Sequence, residues 1–184
     1  MSRSARDAAT PERARSIYVD GYRLDLVLRP GILVPVPVAT LARTAARALA
    51  MVGAPPRSSL GIVLSDDAEL ATLNEAHMGH DGPTDVLSFP LVASTPTPGA
   101  STVRFVLPPG HRVHLGDVIV SVERAAAQAA EGRGGQTGDV AWDTADELRL
   151  LVVHGTLHVC GWDHAEPDEE AAMRALEREV LGFG

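Results

Sequence analysis

The chain has 184 residues, of which 45% are apolar, 22% charged and 4% aromatic, with a formal net charge of -8. Such a length supports a core that folds without disulfides, and the single cysteine, Cys160, excludes a disulfide framework. No run approaches the ~18 consecutive apolar residues of a membrane span, and the polar opening Met1–Asp7 predicts no signal peptide, so the expectation is a cytoplasmic protein without a membrane partner.

Acidity is concentrated at the C-terminal end, with eleven acidic residues against three arginines from Asp139 to Gly184. Every lysine-or-arginine position is an arginine. Bulk attraction does not draw so acidic a chain to nucleic acid, so any such role requires a local basic or metal-centred site.

In chain order, residues 1–15 read as a disordered tail, and order is expected to begin near Ile17 in a single domain, 16–184. Ile17 to Leu28, interrupted by Gly21, predicts two short strands or a hairpin, and Val38 to Val52 an Ala- and Leu-rich helix ended by Gly53. Leu60 to Leu64 is a buried strand, followed by a cap at Ser65-Asp66-Asp67 and a helix from Ala68 to about His77. Val86 to Phe89 is a strand stopped by Pro90. Residues 92–114 are a Pro-rich excursion or hairpin whose one plausible strand is Val103 to Leu107. Leu115 to Val120 returns as a core strand, and Ser121-Val122-Glu123 leads into a helix ending at Gly132, with a connector to Asp139. Thr144-Ala145-Asp146-Glu147 has the form of a capping box and predicts a helix that stops at Gly161. In the last helix, Asp168 to Leu181, Ala172, Met173, Leu176 and Val180 form a packing face.

Chemistry concentrates in His154-Gly155-Thr156-Leu157-His158-Val159-Cys160-Gly161-Trp162-Asp163-His164. His154 and His158 are one helical turn apart on one face, and a turn at Gly161 can return His164 to the same point. Three neutral imidazoles so arranged suit one metal ion with a fourth position open to water. The helix around them is apolar, and imidazoles buried there without a ligand or a hydrogen-bond partner would be costly. The same spacing occurs in zinc peptidases, but the residue after the first histidine, their general base, is here Gly155, which removes the reason to propose proteolysis. Cys160 points to another helix face and reads as a buried thiol.

This stretch resembles the signature of the YbeY family of bacterial endoribonucleases and rRNA maturation factors. Two further segments agree in order and spacing: Leu73-Asn74 followed by Asp81-Gly82-Pro83-Thr84-Asp85-Val86-Leu87-Ser88-Phe89-Pro90, and Leu115-Gly116-Asp117-Val118-Ile119-Val120-Ser121. The resemblance covers roughly Leu60 to Gly182. It implies an α+β fold, a small mixed β-sheet flanked by helices, with one Zn²⁺ on His154, His158 and His164 at the end of one helix and the turn after it. It also implies single-strand endoribonuclease activity in rRNA processing, at the 3′ end of the small-subunit (16S) rRNA, and in ribosome quality control. The partners it implies are RNA rather than DNA, with a ribosomal protein or an assembly GTPase beside it.

One departure bears on activity: where the family usually carries an arginine thought to hold the RNA phosphate, this chain has Met78, whose thioether cannot donate a hydrogen bond. His77 and His80 are the neighbouring donors, and His80 falls in the segment the family places by the metal. The catalytic set expected from residues and resemblance together is His154, His158, His164, Asp85 and His80. Trp162 replaces the usual tyrosine and keeps an aromatic wall. Asp85, Asp117 and Asp163 are candidate carboxylates, Asp163 as partner to a ligand imidazole, while Thr84 and Ser88 would shape the pocket floor. Two other readings stay open: a zinc-containing ribosome-assembly factor that binds RNA with weak or no hydrolysis, and a zinc hydrolase of small molecules.

Overall fold

Along Tyr22–Leu28 every second residue is buried, the signature of a strand with one face on a core, whereas Ser58–Ser65 is buried at all but Val63 and must lie inside a sheet. In the computed structural model, which describes residues 11–91, 111–132 and 142–182, these are strands β2 and β3 of a five-stranded mixed sheet. Strand β1 is Arg13–Val19, β4 is Val86–Pro90 and β5 is Val113–Ser121, and the order across the sheet is β1-β2-β3-β5-β4. The inner pairs β2/β3 and β3/β5 are parallel; the outer pairs β1/β2 and β4/β5 are antiparallel. β5 carries one extra residue against β3, since Ser59 pairs with His114 but Gly61 with Asp117.

The helices are α1 (Val38–Met51), α2 (Asp67–Met78), α3 (Val122–Ala130), α4 (Thr144–Val159) and α5 (Pro167–Leu181). α4 is apolar almost all round and sits between two layers. Leu148, Leu151, Val152 and Val159 join Leu24, Leu26, Ile62, Val118 and Val120 beneath the sheet. On the other side, Leu150, Val153 and Leu157 pack against Ala48 of α1 and Met173, Val180 and Leu181 of α5. The expected α+β class and mixed sheet with flanking helices are therefore present.

Three boundaries differ from the sequence reading. β1 begins at Arg13, so residues 13–15 of the expected tail are paired, Arg13 opposite Leu28 and Arg15 opposite Leu26; backbone pairing on an edge needs no burial, so hydropathy did not reveal it. β5 likewise begins at Val113, inside the expected excursion. The cap of α4 is Asp143, whose carboxylate accepts from the Asp146 N–H at 2.9 Å, while Thr144 is the first helical residue. Asp143 is the better acceptor, and Glu147, expected to complete a box with Thr144, is instead buried at 2% exposure. Residues 1–10, the rest of the excursion at 92–110 with its expected strand from Val103 to Leu107, and residues 133–139 of the connector lie outside the described residues.

Candidate metal centre

His154 and His158 stand on the last two turns of α4. The chain then closes on itself: the Gly161 N–H donates to the His158 carbonyl at 2.9 Å and the Trp162 N–H to the Leu157 carbonyl at 3.0 Å. Gly161 makes this closure at φ +88°, a left-handed conformation open to glycine and costly for other residues. The reversal returns His164 to the helix face, its N–H donating to the Asp163 carboxylate at 2.8 Å. The three rings lie 4.6, 5.0 and 5.4 Å apart between centroids, and one nitrogen from each falls within 4.8 Å of the others. Among the described residues this is the one group of three or more such side chains able to share an ion.

The hydrogen bonding fits a metal. Nδ1 of His154 meets Oε1 of Glu177 at 2.8 Å, and a carboxylate there accepts the Nδ1 proton, leaving Nε2 with its lone pair. That lone pair faces Nε2 of His158 at 3.0 Å. Two ring nitrogens so close need a proton or a cation between them. Burial lowers the His158 pKa below its ordinary value of 6.5, and the nearby His154 and His164 add to the effect, so the neutral, ligating form is favoured. His154 and His158 are half-buried while His164 is exposed, so the site opens on one side.

That side is a cleft of about 440 Å³, lined by the three histidines together with Asn74, Met78, His80, Thr84, Asp85 and Ser88. His80 and Asp85 line the same cleft as the histidines, and so do Met78, Thr84 and Ser88. Asp85 is held on both oxygens: Oδ1 accepts from the Val86 N–H at 2.8 Å and Oδ2 from Nε2 of Gln128 at 2.9 Å. Asn74 donates to the Gly82 carbonyl at 3.0 Å and ties α2 to the same loop. Ser88 donates to the Gly155 carbonyl at 3.1 Å, joining the β4 wall to α4.

Gly155 explains the absence of the peptidase base. A Cβ there would lie 2.4 Å from Cγ1 of Val118 and 3.0 Å from Cγ2 of Val86, so α4 meets the sheet with no room for a side chain.

Several expected residues lie elsewhere. Asp117 projects over Gly61 and pairs with Nε2 of His114 at 3.3 Å, outside the cleft. His77 stacks edge-on against Phe89, its ring centroid 5.2 Å away, and does not line the cleft. Asp163 caps the His164 backbone; the carboxylate that holds one of the three clustered imidazoles is Glu177, which the sequence does not place there by spacing. Its signal was available: Glu177 falls four residues after Met173 and three before Val180 on the buried face of α5, and a carboxylate there must have a partner. Cys160 is not one of the clustered ligands; burial pushes its thiol up to about 11.

A family model described as Endoribonuclease YbeY matches residues 35–183. An endoribonuclease YbeY of Mycolicibacterium gilvum is 42% identical over 133 residues, covering 68% of this chain and 64% of its own length. That of Roseiflexus sp. is 46% identical over 123 residues, 66% of this chain and 68% of the relative. That of Parvibaculum lavamentivorans is 38% identical over 176 residues, 94% and 89% of the two chains. A solution structure from Thermotoga maritima matches with a TM-score of 0.48 and 21% identity, covering 79% of this chain and 82% of that one. With its three-histidine cluster and a family match spanning most of its length, the chain belongs to the YbeY family of endoribonucleases.

Proposed function

We propose that this protein is a zinc-dependent endoribonuclease that cleaves single-stranded RNA, acting in rRNA processing at the 3′ end of the 16S rRNA and in ribosome quality control. The carrying observation is the convergence of three imidazoles at the wall of an open cleft whose other side brings Asn74, His80, Thr84, Asp85 and Ser88 together with the apolar Met78, Val86 and Leu87. His154, His158 and His164 would hold the ion. Bound there, zinc supplies a compact positive charge and a water nucleophile at neutral pH.

The surrounding residues divide the remaining work. Glu177 holds His154 in the tautomer that presents Nε2. Asp85, with both oxygens engaged, positions the loop from Gly79 to Ser88 and does not serve as a free base. Thr84 and Ser88 offer hydroxyls along the floor, and His80 is the group in the facing wall able to take or give a proton. Asn74 orients the loop through Gly82.

A second reading, a zinc-containing assembly factor that binds RNA with little hydrolysis, draws on one observation: Met78 stands in the cleft wall and, among the described residues, no arginine lines that cleft. Both readings place the protein in the cytoplasm with rRNA and a ribosomal protein or assembly GTPase as partners. No helix among the described residues is long and apolar enough to cross a membrane.

The deciding experiment measures the zinc content of the purified protein and its cleavage of single-stranded RNA and of a 16S precursor, before and after chelation. Cleavage lost on chelation and restored by zinc supports the nuclease. RNA binding with no cleavage by the zinc-loaded protein supports the assembly factor.

A further inference from the structure

We propose that Arg174 is the residue that grips an RNA backbone phosphate beside the three histidines, an inference that rests on the RNA-directed reading above. A polyanionic substrate needs a cation where it meets the site, and among the described residues the cleft beside the three histidines is lined by Met78 and His80 but by no arginine. A second, smaller hollow shares His154 and His164 with the first and is bounded by Glu170, Met173, Arg174 and Glu177. Among the described residues, Arg174 is the one lining either hollow that carries a permanent positive charge. The second hollow holds about 120 Å³, room for roughly four waters and so for a phosphate group but not a whole nucleotide.

The guanidinium is underused as it stands. Nη2 donates to Oε1 of Glu170 at 2.5 Å, one helical turn back, and Nε is buried with no hydrogen-bond partner among the described residues. Both side chains of this pair are more than a third exposed, so the pair is weak and the arginine can exchange its partner. Glu177 does not compete for it, being committed to His154. A phosphate entering the hollow offers the planar fork two acceptor oxygens in place of one carboxylate contact. Glu170 thus acts as a holding partner that the substrate displaces. The position of this cation, in the hollow that borders His154 and His164 and not in the Met78 wall, sets where the phosphate next to the scissile one must lie.

The test uses the zinc-loaded full chain and a short fluorescein-labelled single-stranded RNA with phosphorothioate linkages, its binding followed by anisotropy across a range of salt concentrations. Arg174→Ala should weaken binding about tenfold and make the log–log salt dependence shallower by about 0.7, one phosphate contact on a single strand, with zinc content unchanged. Glu170→Gln should tighten binding about threefold in the parent and have no effect when Arg174 is already alanine. Met78→Arg added to Arg174→Ala should restore the salt slope. An unchanged slope in Arg174→Ala with full zinc content, or a Glu170→Gln effect that is the same with and without Arg174, overturns the proposal. Should Arg174→Ala lose zinc or fail to fold, Arg174→Gln keeps the Cβ–Cγ–Cδ stem and a polar end without the charge, and is judged by the same slope. A parent protein that binds no RNA overturns both this inference and the function it rests on; one that binds the probe but leaves the same RNA with ordinary phosphodiester linkages uncut removes only the nuclease reading.

Discussion

Glu177 is 5% exposed and 2.8 Å from Nδ1 of His154, so its carboxylate fixes both the tautomer and the direction of a ligand ring. Glu177→Gln keeps the shape but removes the charge that makes the imidazole a stronger donor to metal. Zinc affinity should fall about 10- to 100-fold while the fold is retained, as measured by competition with a chromophoric chelator. An affinity equal to the parent's would show that His154 needs no such partner. Cys160 is the contrasting residue. Its thiol is held to about 11 by burial alone, so little thiolate forms at neutral pH, and a thiol reagent should modify it only as the protein unfolds. Rapid labelling of the native protein would mean the thiol is open to solvent.

Two elements depend on contacts that a single substitution can read. Where α4 crosses the sheet, Gly155 leaves no space above Val118, and Gly155→Ala forces overpacking that should cost about 1–3 kcal/mol in urea denaturation. Stability equal to the parent's would show that the helix can lift off without penalty. Just after β2, Arg29 holds Glu69 at the first turn of α2 through a forked contact of 2.6 to 3.1 Å, and Ser65 also donates to Glu69. Those hydrogen bonds, Arg29's first, keep the Glu69 pKa below its ordinary 4.5. The folded state therefore binds the proton less readily than the unfolded chain. The stability this adds is present in full above about pH 4.5 and is lost as pH falls through the folded value. Glu69→Gln should thus flatten the acid limb of the stability–pH curve and change the slope little at neutral pH. An acid limb as steep as the parent's would assign it to other carboxylates.

At the scale of the whole molecule, the site joins segments far apart in the chain: α2 and the loop to β4, the end of α4 with its turn, and α5 through Glu177. An ion held by the three histidines of α4 and its turn would bind the folded state in preference to the unfolded one. Saturating zinc should therefore raise the melting temperature, with a gain of about 4 kcal/mol when free zinc is a thousandfold above its dissociation constant. The rise should vanish in His158→Ala, whose metal-free melting should stay near the parent's metal-free value. A zinc effect that survives in that variant would place the ion elsewhere.

The local spacing of the sequence by itself determined most of the elements and the grouping of the three histidines. The apolar run of α4 carries two histidines one turn apart, Gly161 is the residue a reversal requires, and the three-histidine cluster follows from backbone geometry within eleven consecutive positions. The order of the sheet, the cap at Asp143 and the pairing of Arg13 to Arg15 were decided by contacts between distant segments, which hydropathy does not register. The same holds for the partners of the ligands. Asp163 is adjacent to His164 in sequence yet serves the backbone, while Glu177, thirteen residues beyond His164, reaches His154 because α5 packs on α4 through Met173 and Val180. Arg174 rides on that same helix, so its place beside the histidines is a consequence of packing between α4 and α5, which only the folded chain brings about.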